Sequence, residues 1–229
     1  MSSTPNKPEV TTLHATRFIK LYDLTYEGGH HYYEASRREA SDLVALKDDA
    51  QLKETLPDAV SACLIVEVPD DEPRMVLNYE YRYPTGQYVL GIPSGLVDRG
   101  DQSEDEPLIA AMTREICEET GIALGEDDRI WVVNPLMFCS PGLTDESTAL
   151  LCAVAHLDDL SPLTHEGAEG SERFGSFEVL SQSEVRKVLA DGRDPHGCFY
   201  PMVAWVAMTY FACDLWRTGF VSEDEVANR

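Results

Sequence analysis

Arg114-Glu115-Ile116-Cys117-Glu118-Glu119-Thr120-Gly121-Ile122 decides how the rest of this chain is read. The carboxylates of Glu115, Glu118 and Glu119 stand three and four residues apart, so on a helix they share one face. Like charges on one patch repel, which makes the arrangement poor as a structural device. A hard divalent cation changes that balance, because Mg²⁺ takes carboxylate oxygens together with substrate phosphates. Gly121 is the residue type that most easily ends such a helix. Leu108, Ile109, Met112 and Ile116 recur at helical spacing. They predict a helix from about Glu104 or Asp105 to Thr120, with the apolar stripe inward and the glutamates toward the rim.

The 229 residues, 43% hydrophobic and 26% charged, suffice for one generous domain or a domain with an appendage. A formal net charge of −23 argues against a nucleic-acid partner, since a phosphate backbone wants a basic face. A small anionic substrate would then rely on local cations, a bound metal and a few placed arginines. No apolar run approaches the roughly 20 residues of a membrane span. The opening MSSTPNKPEVTT is polar, lacks an apolar signal core and reads as a loose tail. Cys63, Cys117, Cys139, Cys152, Cys198 and Cys213 form no C-x-x-C pair and read as reduced thiols of a cytoplasmic protein.

Around the motif, residues 16–26 and 30–38 flank Gly28-Gly29 and predict a β-hairpin. Residues 39–56 read as a helical or loop connector. Strands are expected at Ala59–Val68, Met75–Tyr83, Tyr88–Ile92, Ile130–Phe138, Ser147–His156 and near Phe174–Leu180. Ser181-Gln182-Ser183-Glu184 has capping-box spacing and opens a helix to about Ala190. Tyr200–Trp216 reads as a final aromatic-rich helix. Strands, a helix, more strands and terminal helices give an α+β or mixed α/β fold.

Taken with Gly100 and Glu106, the segment spells G-x5-E-x7-R-E-U-x-E-E-x-G-U, where U is the apolar Ile116 or Ile122. This resembles the signature of the Nudix hydrolases, which cleave a nucleoside diphosphate linked to another group. A second parse starts the pattern at Gly95. Arg114 then arrives about five residues late, implying an insertion around Arg99–Asp105. Tyr81-Arg82-Tyr83, Ile92-Pro93-Ser94-Gly95-Leu96-Val97-Asp98 and Ser140-Pro141-Gly142-Leu143-Thr144-Asp145-Glu146 look like the ADP-ribose pyrophosphatase branch. That branch commonly has an acidic residue two before the proline of P-A-G, where this chain has Gly91.

The resemblance implies a Nudix fold, an α/β/α sandwich around a mixed sheet, with an N-terminal β-hairpin subdomain that swaps within a homodimer. The expected division is a tail 1–13, a β-rich subdomain 14–56, a hydrolase domain 57–217 and a tail 218–229. The implied activity is hydrolysis of ADP-ribose to AMP and ribose 5-phosphate that depends on Mg²⁺, with Mn²⁺ as the alternative, and uses two or three metal ions. The alternatives are another nucleotide-sugar pyrophosphatase of the GDP-mannose type, or a non-catalytic ADP-ribose or NAD sensor. Glu115 and Glu119 are the first-choice metal ligands, with Glu118 beside them and a backbone carbonyl at Ser94 or Gly95 completing the shell. Arg114 is expected to orient a box glutamate, with Glu106 as the candidate. The general base is expected among Glu166, Glu169 and Glu172, with Glu172 favoured and Glu169 second. Substrate contacts are expected from Phe18 and Tyr33 on adenine, Glu34 and Arg37 on base or phosphate, Arg82 on phosphate or ribose, and Glu146 on the terminal ribose.

Overall fold

The computed structural model describes residues 6–98, 100–167 and 173–218. The chain divides into two compact units: residues to Asp58 with Leu136–Thr148, and Ala59–Pro135 with the remainder from Ala149.

The first unit is a three-stranded antiparallel sheet of β1 (Glu9–Ala15), β2 (Lys20–Tyr26) and β3 (His30–Ser36). The β2–β3 hairpin turns at Gly28 and Gly29, both at positive φ (80° and 76°), where glycine carries no Cβ penalty. β1 lies mostly within the stretch 1–13 expected to be a tail. It is polar and almost wholly exposed, and its pairing with β2, Glu9↔Thr25 to Ala15↔Lys20, defines it as a strand. Tyr22, Leu24 and Leu43 form the small core of this unit. The connector is a short 3₁₀ turn at Val44–Leu46 followed by α1 (Asp49–Lys53), capped reciprocally by Asp48 and Gln51. Arg38 ties the unit together, with Nη2 2.9 Å from Asp58 and Nε 3.6 Å from Asp145.

The second unit is built on a mixed sheet. Its strands are β4 (Ala59–Glu67), β5 (Arg74–Arg82), β6 (Gln87–Gly91), β7 (Ser94–Leu96), β8 (Arg129–Phe138), β9 (Ser147–His156) and β10 (Phe174–Ser181). The order is β10-β5-β4-β9-β8, with β6 on β5 and β7 on β4. β8 and β9 also run into the 136–148 segment of the first unit.

The central strand β4 is buried on both faces, and its alternation assigns each face a helix. Val60, Ala62, Leu64 and Val66 pack with Met112 and Ile116 of α2 (Pro107–Thr120). On the opposite face Cys63 Sγ lies 3.6 Å from the Ala207 carbonyl of α4 (Met202–Ala212). This unit is therefore a helix–sheet–helix sandwich, as expected. α3 (Gln182–Asp191) opens on the Ser181/Glu184 capping box. The predicted final helix breaks at Asp214, whose φ of 59° is left-handed, and resumes as α5 (Leu215–Thr218). Gln182 Nε2 donates to the Phe211 carbonyl, and Arg186 Nη2 to that of Ala212, satisfying groups the broken helix exposes. No described helix is long and apolar enough to cross a membrane.

Candidate active site

The site grows from α2. Pro107 stands at its first turn, where the missing N–H costs nothing, and Gly121 at φ 74° ends it with N–H donated to the Cys117 carbonyl. Met112 and Ile116 are fully buried, each contributing about 1.5–3 kcal/mol of apolar transfer. With that stripe fixed inward, the helical period turns Glu115 and Glu119 to the sheet-side rim. Both are buried, at 9% and 5% exposure, whereas the Glu118 side chain is about one-third exposed.

β7 is short but decisive. It pairs with β4 through Val60↔Gly95 and Ser61↔Ser94, which presses its backbone against α2. A Cβ on Gly95 would stand 1.8 Å from Glu115 Cδ, so only glycine leaves room for that carboxylate. The Ser94 N–H donates to Glu119 Oε2 at 3.2 Å. Asn78 Nδ2 donates to the same oxygen at 3.5 Å. Glu115 and Glu119 thus converge on Ser94 and Gly95, the segment paired with them in the sequence reading. Ser94 reaches Glu119 through its N–H.

Arg114 holds the cluster together. Its Nη1 donates to Glu115 Oε1 at 2.8 Å and to Glu118 Oε2 at 2.9 Å. Its Nη2 donates to the Leu96 carbonyl and to Asp101 Oδ2, both at 3.0 Å. The hydrogen bond to Asp101 does most to raise the guanidinium pKa above its ordinary value. Burial alone would raise the Asp101 carboxyl, but the bonds from Arg114 and the Asp98 N–H outweigh it and hold that carboxyl below the usual range. With so many commitments, Arg114 is a positioning residue.

Its acidic partner corrects the expectation of Glu106. Glu106 is the residue before α2 and lies two helical turns from Arg114. Asp101, in the 3₁₀ turn Asp101–Ser103, reaches in where Glu106 does not. Gly95-x5-Asp101 also reproduces the spacing of the signature, with aspartate in place of glutamate. The extra residues therefore fall between Asp101 and Arg114, overlapping the stretch around Arg99–Asp105 where an insertion is expected. Gly100 has nothing within 4 Å of its notional Cβ, so the packing glycine is Gly95.

The donor set suits a hard cation. Buried carboxylate oxygens face a glycine cradle that a side chain would fill. Among the described residues no group of three or more acidic, His or Cys side chains is placed to hold a metal ion. A Mg²⁺ that completes its shell with water and phosphate oxygens does not require one.

Asn78 was missed from sequence, as was Asp101. Gly91 is registered with Asn78, and its notional Cβ would come 3.0 Å from Asn78 Oδ1. The absent side chain at position 91 gives Asn78 the space from which it bonds Glu119.

The other candidates are placed as follows. Glu166 is exposed, with its N–H bonded to Thr164 Oγ1, while Glu169 and Glu172 lie outside the described residues. Arg82 is half-exposed and paired with Glu80 at 2.5 Å. In the first unit, Arg37 Nε and Glu146 Oε1 meet at 2.9 Å. Tyr33 and Phe18 are both exposed. Tyr33 is registered with Asp23, three strand residues (about 10 Å) from the strand end at Lys20, and Phe18 lies beyond that end. Within one chain they do not face each other across a ring-sized gap. Glu34 is buried on the opposite face of β3 from Tyr33. It lines a cavity of about 440 Å³ with Tyr26, Tyr32 and Leu143. Burial and the neighbouring Asp145 push its carboxyl up to about 7. Glu34 and Tyr33 therefore do not share one surface.

No protein-family model matches the chain. It is 34% identical over 106 residues to a protein of Caenorhabditis elegans provisionally named nudix hydrolase 2, covering 46% of this chain and 43% of that one. It is 34% identical to Nudix hydrolase 14, chloroplastic, of Arabidopsis thaliana, covering 58% and 45%. It is 29% identical to the ADP-sugar pyrophosphatase of Mus musculus over 54% and 52%. The chain thus spans about half the length of the curated relatives it matches. Among solved structures, an ADP compounds hydrolase superposes with a TM-score of 0.57 at 21% identity, covering 96% of this chain and 100% of that one. The glutamate-bearing helix, the shared fold and these relatives together make the chain a homologue of the Nudix hydrolases.

Proposed function

We propose that the chain is a Mg²⁺-dependent nucleotide-sugar pyrophosphatase that hydrolyses ADP-ribose to AMP and ribose 5-phosphate, working as a homodimer in the cytoplasm. The observation that carries the reading is the convergence of buried Glu115 and Glu119 on Gly95 and Ser94. The names of the mouse and crystallised relatives support the choice of an ADP-linked sugar.

In this reading Glu115 and Glu119, with Glu118 and a carbonyl at Ser94 or Gly95, hold the metal. Bound there, divalent metal neutralises charge on the pyrophosphate oxygens and acidifies a water. The chain's residues do the rest. Arg114 and Asp101 keep the glutamate face in register with β7. Glu172, with Glu169 as the second choice, accepts the water proton. Arg82 exchanges Glu80 for a substrate phosphate, a bidentate contact that a guanidinium suits. Tyr33 stacks on adenine, Phe18 contributes from a hairpin end, and Arg37 and Glu146 contact phosphate and ribose.

A panel of ADP-ribose, GDP-mannose, ADP-glucose, NADH and diadenosine polyphosphates with Mg²⁺, scored for AMP or GMP, tests the proposal. Preferred cleavage of ADP-ribose is expected. Preference for GDP-mannose would keep the glutamate chemistry and discard the adenine contacts. The sensor reading predicts binding with no turnover, and the retained glutamates argue against it. Tyr33→Ala should raise KM for ADP-ribose roughly 5- to 100-fold, the range of one base–aromatic stack. An unchanged KM would remove Tyr33 from the site.

A further inference from the structure

The last turn of α2 carries Glu118 and Glu119 and leaves main-chain carbonyls without helical partners. The segment Pro162–Gly167 is docked on those carbonyls. Thr164 N–H donates to the Thr120 carbonyl at 3.0 Å. His165 Nδ1 lies 2.7 Å from the Glu119 carbonyl. That carbonyl acceptor makes Nδ1 the protonated nitrogen. A Cβ on Gly167 would fall 2.6 Å from the Glu118 carbonyl and 3.0 Å from its Cα, so the segment lies flat against the helix end.

The same imidazole stacks on two rings of β10. Its centroid is 4.7 Å from that of Phe174 at 11°, and 3.8 Å from that of Phe177 at 22°. Its Nε2 is buried and has no partner among the described residues. The ring contacts tie His165 to the start of β10, so one side chain joins the main chain of Glu119 to that strand.

We propose that His165 is a positioning residue, whose Nδ1–H bond to the Glu119 carbonyl and stack beneath Phe174 and Phe177 fix the end of the metal helix against β10. The inference rests on the metal-face reading above. The alignment it provides matters because small misplacement of a ligand costs far more in rate than in binding of substrate.

Three variants separate its parts. His165→Phe keeps a stacking ring and drops the donor, His165→Asn keeps a donor near the Nδ1 position and drops the ring, and His165→Ala drops both. Binding of Mn²⁺ to the free protein, followed by the electron paramagnetic resonance of the unbound ion, is read beside kcat and KM. Losing one hydrogen bond should weaken Mn²⁺ binding about 3- to 10-fold in His165→Phe. kcat should fall on the order of ten-fold, with KM within about two-fold. His165→Asn should recover Mn²⁺ affinity to within about two-fold of the parent, since the donor is restored. Parental Mn²⁺ binding and kcat in His165→Phe would overturn the proposal, as would equal impairment of the Phe and Asn variants. If no substrate is turned over, the functional reading fails while the Mn²⁺ comparison still decides the role of His165. Parent protein that binds no Mn²⁺ would overturn both.

Discussion

Glu119→Gln is expected to leave a folded protein whose kcat on ADP-ribose with Mg²⁺ falls on the order of a thousand-fold, about 4 kcal/mol of transition-state stabilisation. The amide keeps the shape and one acceptor oxygen. Asn78 Nδ2 and the Ser94 N–H therefore keep a partner, and the local structure has no reason to open. What is lost is one anionic charge from the buried face proposed to hold the cation. The same substitution relieves repulsion with Glu115 and Glu118, so thermal stability should hold or rise. A loss of activity with an unchanged or higher Tm is the signature of a functional carboxylate. Retention of more than about a tenth of the parental kcat would show that Glu119 is not a ligand.

Gly95→Ala is expected to be nearly as damaging, by a different route. The added methyl would stand 1.8 Å from Glu115 Cδ and 2.2 Å from Oε2, far inside contact distance. Either Glu115 swings away or β7 parts from β4. The first displaces a proposed ligand, while the second strains the Val60↔Gly95 pairing and disturbs the Leu96 carbonyl bound by Arg114. Overpacking of this kind typically costs about 1–3 kcal/mol, which predicts a Tm lowered by roughly 2–12 °C for a chain of this size. Activity should fall on the order of a hundred-fold, with the Mg²⁺ requirement shifted to higher concentration. Gly100→Ala is the control. It meets nothing within 4 Å and should behave as parent. Equal effects at the two positions would contradict the assignment of Gly95 as the packing glycine.

What was legible in the sequence was what local chemistry writes there. The Glu115–Glu118–Glu119 spacing, the αL stop at Gly121 and the Ser181/Glu184 cap each depend on residues within one or two helical turns, and each stands as read. The buried strand at Ala59–Glu67 was equally plain, because a strand covered on both faces is apolar throughout. What escaped was set by partners distant in the chain. β1 has no apolar alternation and is defined by its ladder to β2. The broken final helix depends on Gln182 and Arg186 reaching its open end.

The site divides along the same line. Glu115 and Glu119 announced themselves, whereas Asp101 was hidden by the extra residues that separate it from Arg114. The spacing Gly95-x5-Asp101 was the signal that would have found it. Asn78 had no signal in the sequence, since its role follows from its registration with Gly91. Glu34 shows the reverse. It follows Tyr33 directly, yet the two-residue period of β3 turns it to the opposite face, into a cavity beside Asp145.

The most direct test of the account is a Mg²⁺ titration of chelator-stripped protein with ADP-ribose, following AMP and ribose 5-phosphate together. No turnover is expected without divalent metal, with saturable recovery as Mg²⁺ is added and the two products in equal amounts. Turnover that ignores metal, or none on ADP-ribose at any Mg²⁺ concentration, would contradict it.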